Sequence, residues 1–106
     1  MTSRSESRRA TKLAAIDRTR DAAINAGCTF GGALYHADAL FQSQLQAFIL
    51  AWAAGILPPA ATVNIRRKDN VTVQMGQTQV AALAGTLMQF VQTTYAQSWA
   101  AKDALP

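Results

Sequence analysis

The stretch Cys28-Thr29-Phe30-Gly31-Gly32-Ala33-Leu34-Tyr35 separates a highly charged segment from a long charge-poor one. Gly-Gly between apolar or aromatic runs suits a two-residue hairpin turn, in which both central residues need positive φ. In that register Phe30 faces Ala33 and Cys28 pairs with Tyr35. Strands so short need something to pack on.

Upstream, Ser3 and Glu6 have the spacing of a capping box, a side-chain acceptor followed three residues later by an acid. From there to Ala26 the pattern is helical, with Leu13, Ile16, Ala23 and Ile24 near one face. Gly27 is a natural C-terminal stop because it tolerates the left-handed conformation. Arg4 to Arg9 carry little apolar pattern. Residues 1–10 are therefore expected to be a loosely held, flexible basic start.

Downstream, Asp38 is a good N-cap for a second helix. Phe41, Leu45, Phe48, Trp52 and Ile56 recur at steps of four, three, four and four, and Leu40, Ile49 and Leu50 widen that stripe. Gly55 and Pro58-Pro59 end it. Thr62-Val63-Asn64-Ile65 and Val71-Thr72-Val73-Gln74-Met75 then alternate around the turn residues Lys68-Asp69-Asn70, which predicts a second hairpin. Gly76 with Gln79 opens a final helix from about Gln77 to Lys102. On it Val80, Leu83, Leu87, Phe90 and Thr94 trace one stripe, and Met88, Val91, Tyr95 and Trp99 a neighbouring one. Two adjacent apolar stripes imply a helix covered on more than one side.

The expected fold is α+β and mostly α: three helices and two short β-hairpins, which form a small antiparallel sheet if they associate. A plain three-helix bundle decorated by two hairpins is the alternative. The 106 residues suit one domain spanning 1–106, with the packed part over 11–105. No stretch approaches the roughly 20 uncharged apolar residues needed to span a membrane. The basic start leads into a mixed helix without an apolar segment, unlike a secretory signal. The expectation is a soluble protein made in the cytoplasm.

Catalytic chemistry finds little support. Cys28 is the only cysteine, which excludes an internal disulfide and a thiolate zinc cluster. His36 is the only histidine, and metal sites need several converging ligands. No nucleophile-elbow motif occurs. No catalytic, cofactor-binding or metal-binding residue is assigned, and no enzyme activity is expected.

The net charge of +4 is unevenly spread. Arg4, Arg8, Arg9, Lys12, Arg18 and Arg20 lie in the first segment and Arg66, Arg67 and Lys68 form a second cluster. Between Asp21 and Arg66 the only full charge is Asp38, and from Asn70 to Ala101 there is none. A small isolated domain normally keeps its helix exteriors charged. Helices of Ala, Gln, Thr and large apolar residues can pack on several sides without desolvating a charge. Phe48, Trp52, Met88, Tyr95 and Trp99 are therefore candidate protein-interface residues, and Arg66, Arg67 and Lys68 candidate basic contacts.

Several ordered fragments resemble domain-of-unknown-function family 4376, found in tailed phages and prophages. They are Arg18-x-x-Asp21-Ala22-x-Ile24-x-Ala26-Gly27-x-Thr29-Phe30, Tyr35-x-Ala37-Asp38, Asp69-Asn70-x-x-Val73, and Val91-Gln92-x-x-Tyr95-x-x-Ser98-Trp99-Ala100-x-Lys102-Asp103. The similarity spans roughly Arg18 to Leu105. Before Asp69-Asn70, where the family often has tryptophan, this chain has Ile65-Arg66-Arg67-Lys68. The resemblance implies a protein of the phage tail or tail fibres, located in the virion, with no known catalytic residues.

The leading expectation is a non-catalytic structural or adaptor protein of a tailed bacteriophage. Its partners would be other tail or tail-fibre proteins and copies of itself, a homotrimer being the first guess. A tail-fibre assembly chaperone is the alternative, since it needs the same apolar docking face. A nucleic-acid-binding or host-directed phage protein ranks lower: the basic stripe of the first helix is interleaved with acids and lacks a helix-turn-helix pattern.

Overall fold

In the computed structural model, residues 4–106 are described; Ser3 of the expected capping box, and the first residues of the expected flexible start, lie outside them. The element order is α1 (Arg4–Ala26), β1 (Cys28–Phe30), β2 (Ala33–Tyr35), α2 (Ala39–Ala53), β3 (Thr62–Arg66), β4 (Thr72–Gly76) and α3 (Gln77–Asp103). Local chemistry sets these boundaries. Gly27, at φ 92°, ends α1. The Asp38 carboxylate accepts from the Phe41 backbone N–H at 2.8 Å and opens α2. The Gly76 N–H donates to Gln79 Oε1 at 3.2 Å and opens α3.

Both hairpins are antiparallel. β1 and β2 pair Cys28 with Tyr35 and Phe30 with Ala33, and Gly31 and Gly32 both take positive φ at the turn. β3 and β4 pair Val63 with Met75 and Ile65 with Val73, which turns Ile65 and Met75 into the core. Three helices and two hairpins form, as expected, and the hairpins do not associate: each is its own two-stranded sheet. Residues 67–70 curl into a turn, with Asn70 at φ 66°, so only one backbone bond of 2.9 Å, from Lys68 N–H to Leu34 O, bridges the two.

The core gathers on the first half of α3. Val80, Leu83 and Leu87 are fully buried there, with Ala84 beside them. They meet Phe41, Leu45 and Trp52 of α2, Tyr35 and Cys28 of the first hairpin, and Ile65 and Met75 of the second. The expected α2 stripe is narrower than its spacing suggests. Leu40, Leu50 and Ile56 are largely exposed, and only Ile49 of the widening set packs against the core.

The second half of α3 runs on beside α1, antiparallel to it, since Arg20 meets Tyr95 while Arg9 donates to the Pro106 carbonyl at 2.7 Å. The 27 residues of α3 extend about 40 Å at the usual helical rise. The chain is accordingly long, 61 × 28 × 21 Å, with a radius of gyration of 18.1 Å; a compact chain of this length has about 13 Å. No described side chain of α1 is fully buried. The molecule is a small core with a two-helix arm.

Candidate functional site

Along α3 the inner and outer faces differ in what covers them. The inner face continues past the core as Thr94 and Ser98, both buried. Their hydroxyls donate to the carbonyls of Phe90 (2.8 Å) and Tyr95 (2.7 Å), so neither is left unpaired against α1. The outer face has no such cover: Met88 is 51% and Trp99 58% exposed. No charge interrupts α3 before Lys102. That uncharged, partly aromatic strip is the candidate site, and its chemistry suits packing on protein.

Tyr95 lies on the border between the two faces. On one side the Arg20 guanidinium stands 4.9 Å from the ring centroid, a cation–π contact from α1. On the other, Trp99 packs at 5.9 Å between centroids with the planes tilted by 52°. Arg20 is itself held by Asp17 at 3.1 Å and Asp21 at 3.0 Å. The hydrogen bond to Asp21 is the main reason its guanidinium is raised above the ordinary arginine value. Lys102 reaches Asp17 at 2.7 Å. Its hydrogen bond is the main cause that holds the Asp17 carboxyl below the usual carboxylate value. Of these pairs only Lys102–Asp17 crosses between the helices, and both its partners are partly exposed, so it adds little stability.

Between the helices runs a groove of about 350 Å³, walled largely by the small or apolar side chains Ala15, Ile16, Thr19, Ala23, Thr94 and Ala101. It contains no buried polar atom without a partner. Groove and outer strip together leave the arm with apolar surface on two sides.

The five expected interface residues do not share one surface. Trp52 belongs to the core: it is 6% exposed and its indole N–H donates to the Pro58 carbonyl at 3.0 Å. It cannot offer a docking face, because the loop after α2 folds back over it. Phe48 is half-buried against the same core. Met88, Tyr95 and Trp99 alone line up on the outer strip of α3.

The expected basic cluster is also divided. Lys68 donates through Nζ to the carbonyl of Asn25, closing the last turn of α1. Arg67 forms a two-bond pair with Asp69; the guanidinium hydrogen bond is the main cause that lowers the Asp69 carboxyl. Only Arg66 points outward, bonded to the Thr72 hydroxyl at 3.3 Å. Two of the three cations therefore serve the fold, and the cluster is no common contact surface.

Remaining reactive groups are dispersed. Cys28 is buried, and burial raises its thiol above the ordinary value. His36 is half-buried with its ring 5.9 Å from that of Phe41. Among the described residues no three His, Cys, Asp or Glu gather as metal ligands do, and no helix is long and apolar enough to cross a membrane. Residue-by-residue reading missed Asp17, Arg20 and Lys102, the groups that dock α1 on α3. Their signal is only visible once the helices are set antiparallel, because Asp17 and Lys102 lie far apart in the chain.

No curated protein and no solved structure gives a significant match to the chain. A family match does exist, and it begins earlier than the fragments from Arg18 onward that carried the resemblance, taking in most of α1 with both hairpins and α3. Over residues 7–106 the chain belongs to the family described as Domain of unknown function (DUF4376).

Proposed function

We propose that this protein is a non-catalytic packing module, a structural or adaptor subunit of the tail apparatus of a tailed bacteriophage. The observation that carries the packing part is the outer strip of α3, where Met88 and Trp99 stand exposed on a helix free of charge up to Lys102. Exposed apolar groups without charged neighbours lose little on desolvation and gain surface burial when covered. The arm extends that surface, since α1 has no fully buried side chain of its own among those described. The phage setting rests on the resemblance of the ordered fragments, and the proposed partners are tail or tail-fibre proteins and other copies of this chain. Residence in the virion goes with that setting.

Quantitative mass spectrometry of purified, nuclease-treated particles from the source tests the reading. A fixed small copy number per particle is the expected result. A chain abundant in infected cells but missing from particles overturns the virion role and leaves transient assembly of fibres as its work.

A further inference from the structure

The outer strip of α3 has a regular spacing. Ala81, Gly85, Met88, Gln92, Tyr95 and Trp99 follow one another at steps of four, three, four, three and four, the repeat that keeps one helical seam facing a partner helix. Five of the six are exposed and Tyr95 is half-buried. Lys102, the next position in the repeat, is already bound to Asp17 and closes the seam.

Two features suit a partner on this seam. Gly85 sits in the middle of α3, where glycine is a poor choice, yet a Cβ built on it meets nothing within 4 Å. No neighbour inside this chain requires the small residue. The surface is also too large. The chain exposes 7001 Å², whereas a compact monomer of its mass, 11.3 kDa, exposes about 5,700 Å². The excess of roughly 1,300 Å² is more than the ~800 Å² each partner gives up in a standard interface.

We infer that the seam pairs with the same seam of a second copy, in antiparallel twofold symmetry. This rests on the packing reading above and not on the phage setting. The spacing is symmetric about Phe90, so reversing the partner sets Trp99 on Ala81, Tyr95 on Gly85 and Gln92 on Met88. Each large side chain then meets a small or flexible one, as interdigitated packing requires. Gly85 is small because the partner's Tyr95 and backbone approach there. Charge selects the same direction. Arg8, Arg9 and Lys12 surround a recess with Leu105 and Pro106 at the free end of the arm. A parallel pair would set two such basic ends side by side, while the antiparallel pair holds them at opposite ends. The contact is isologous and closes at two copies, not at the three first expected.

Sedimentation equilibrium of the full chain should give twice the monomer mass. Gly85→Leu adds a strong helix former to open space, so it keeps the helical circular dichroism and weakens dimerisation by roughly tenfold or more. Trp99→Ala should weaken it similarly. A monomeric or trimeric wild type overturns the inference, as does a Gly85→Leu protein that dimerises unchanged. Ala81→Cys tests direction: efficient self-crosslinking on oxidation means parallel helices and overturns the antiparallel pairing. A monomer that still binds a tail protein removes only this inference; a dimer absent from particles removes only the tail role.

Discussion

Lys102 donates to the Asp17 carboxylate across 2.7 Å, tying the last turn of α3 to the middle of α1. The pair indicates how the arm responds to acid. Asp17 is held below its ordinary value in the folded arm, chiefly by the Lys102 hydrogen bond. A carboxylate with a depressed folded value contributes stability above its unfolded value of about 3.9, and that contribution is lost as pH falls through the folded value. The arm should therefore loosen below about pH 4 while the core around Leu83 stays closed. Amide exchange of α1 measured by mass spectrometry between neutral and acidic pH checks this. Asp17→Asn should make the protection of α1, taken relative to intrinsic exchange at each pH, nearly independent of pH in the acid range, with only a small loss at neutral pH because the pair is partly exposed.

Lys68 gives a second prediction. Its ammonium satisfies the Asn25 carbonyl at the end of α1, where a cation also complements the helix dipole. Lys68→Ala should cost about 1 kcal/mol, and Lys68→Arg should recover only part of it because the fork does not match a single carbonyl. Thermal melts of the three proteins by circular dichroism would measure the order.

Gly27 beside it is a stricter position. It has φ 92°, and a Cβ there would lie 2.6 Å from the Tyr35 carbonyl oxygen and 3.1 Å from the Lys68 side chain. Gly27→Ala must strain the backbone and displace the start of the first hairpin together, a loss of roughly 2–4 kcal/mol. Urea denaturation monitored in the far ultraviolet would show it. The adjacent glycines of the turn, Gly31 and Gly32, have open space around them, so Ala at either should cost only the positive-φ penalty, roughly 1–2 kcal/mol.

What could be read in advance follows the range of the physics. The first hairpin was legible because its turn chemistry lies in two adjacent glycines, and the pairing of Cys28 with Tyr35 follows by counting. The caps at Asp38 and Gly76 were legible for the same reason: donor and acceptor lie three residues apart. Lys68 was not, because a basic turn reads alike whether solvated or reaching a carbonyl 43 residues away. The two tryptophans show the same limit on the candidate site. Each lies on an apolar stripe at helical spacing, and which one is covered depends on a loop folding back from Leu57 to Pro59. The outer face of α3 announced itself only as absent charge; its role required knowing where α1 and α2 do not reach.

The contrast between Trp52 and Trp99 makes the last prediction. Trp52 is buried and its indole N–H is satisfied by Pro58. Trp52→Ala should remove about 3–5 kcal/mol, and Trp52→Phe less, roughly 1–3 kcal/mol, since it keeps most of the volume but leaves the Pro58 carbonyl without its donor. Trp99 is 58% exposed, so Trp99→Ala should change the stability of the single chain by no more than about 0.5 kcal/mol. Fluorescence separates them without a denaturant. In the Trp99→Phe protein the remaining Trp52 should emit towards the blue and resist acrylamide quenching. In Trp52→Phe, Trp99 should be quenched readily in dilute protein and become protected as concentration rises and the outer strip is covered. Protection that never develops with concentration would mean the strip of α3 is not buried by another copy.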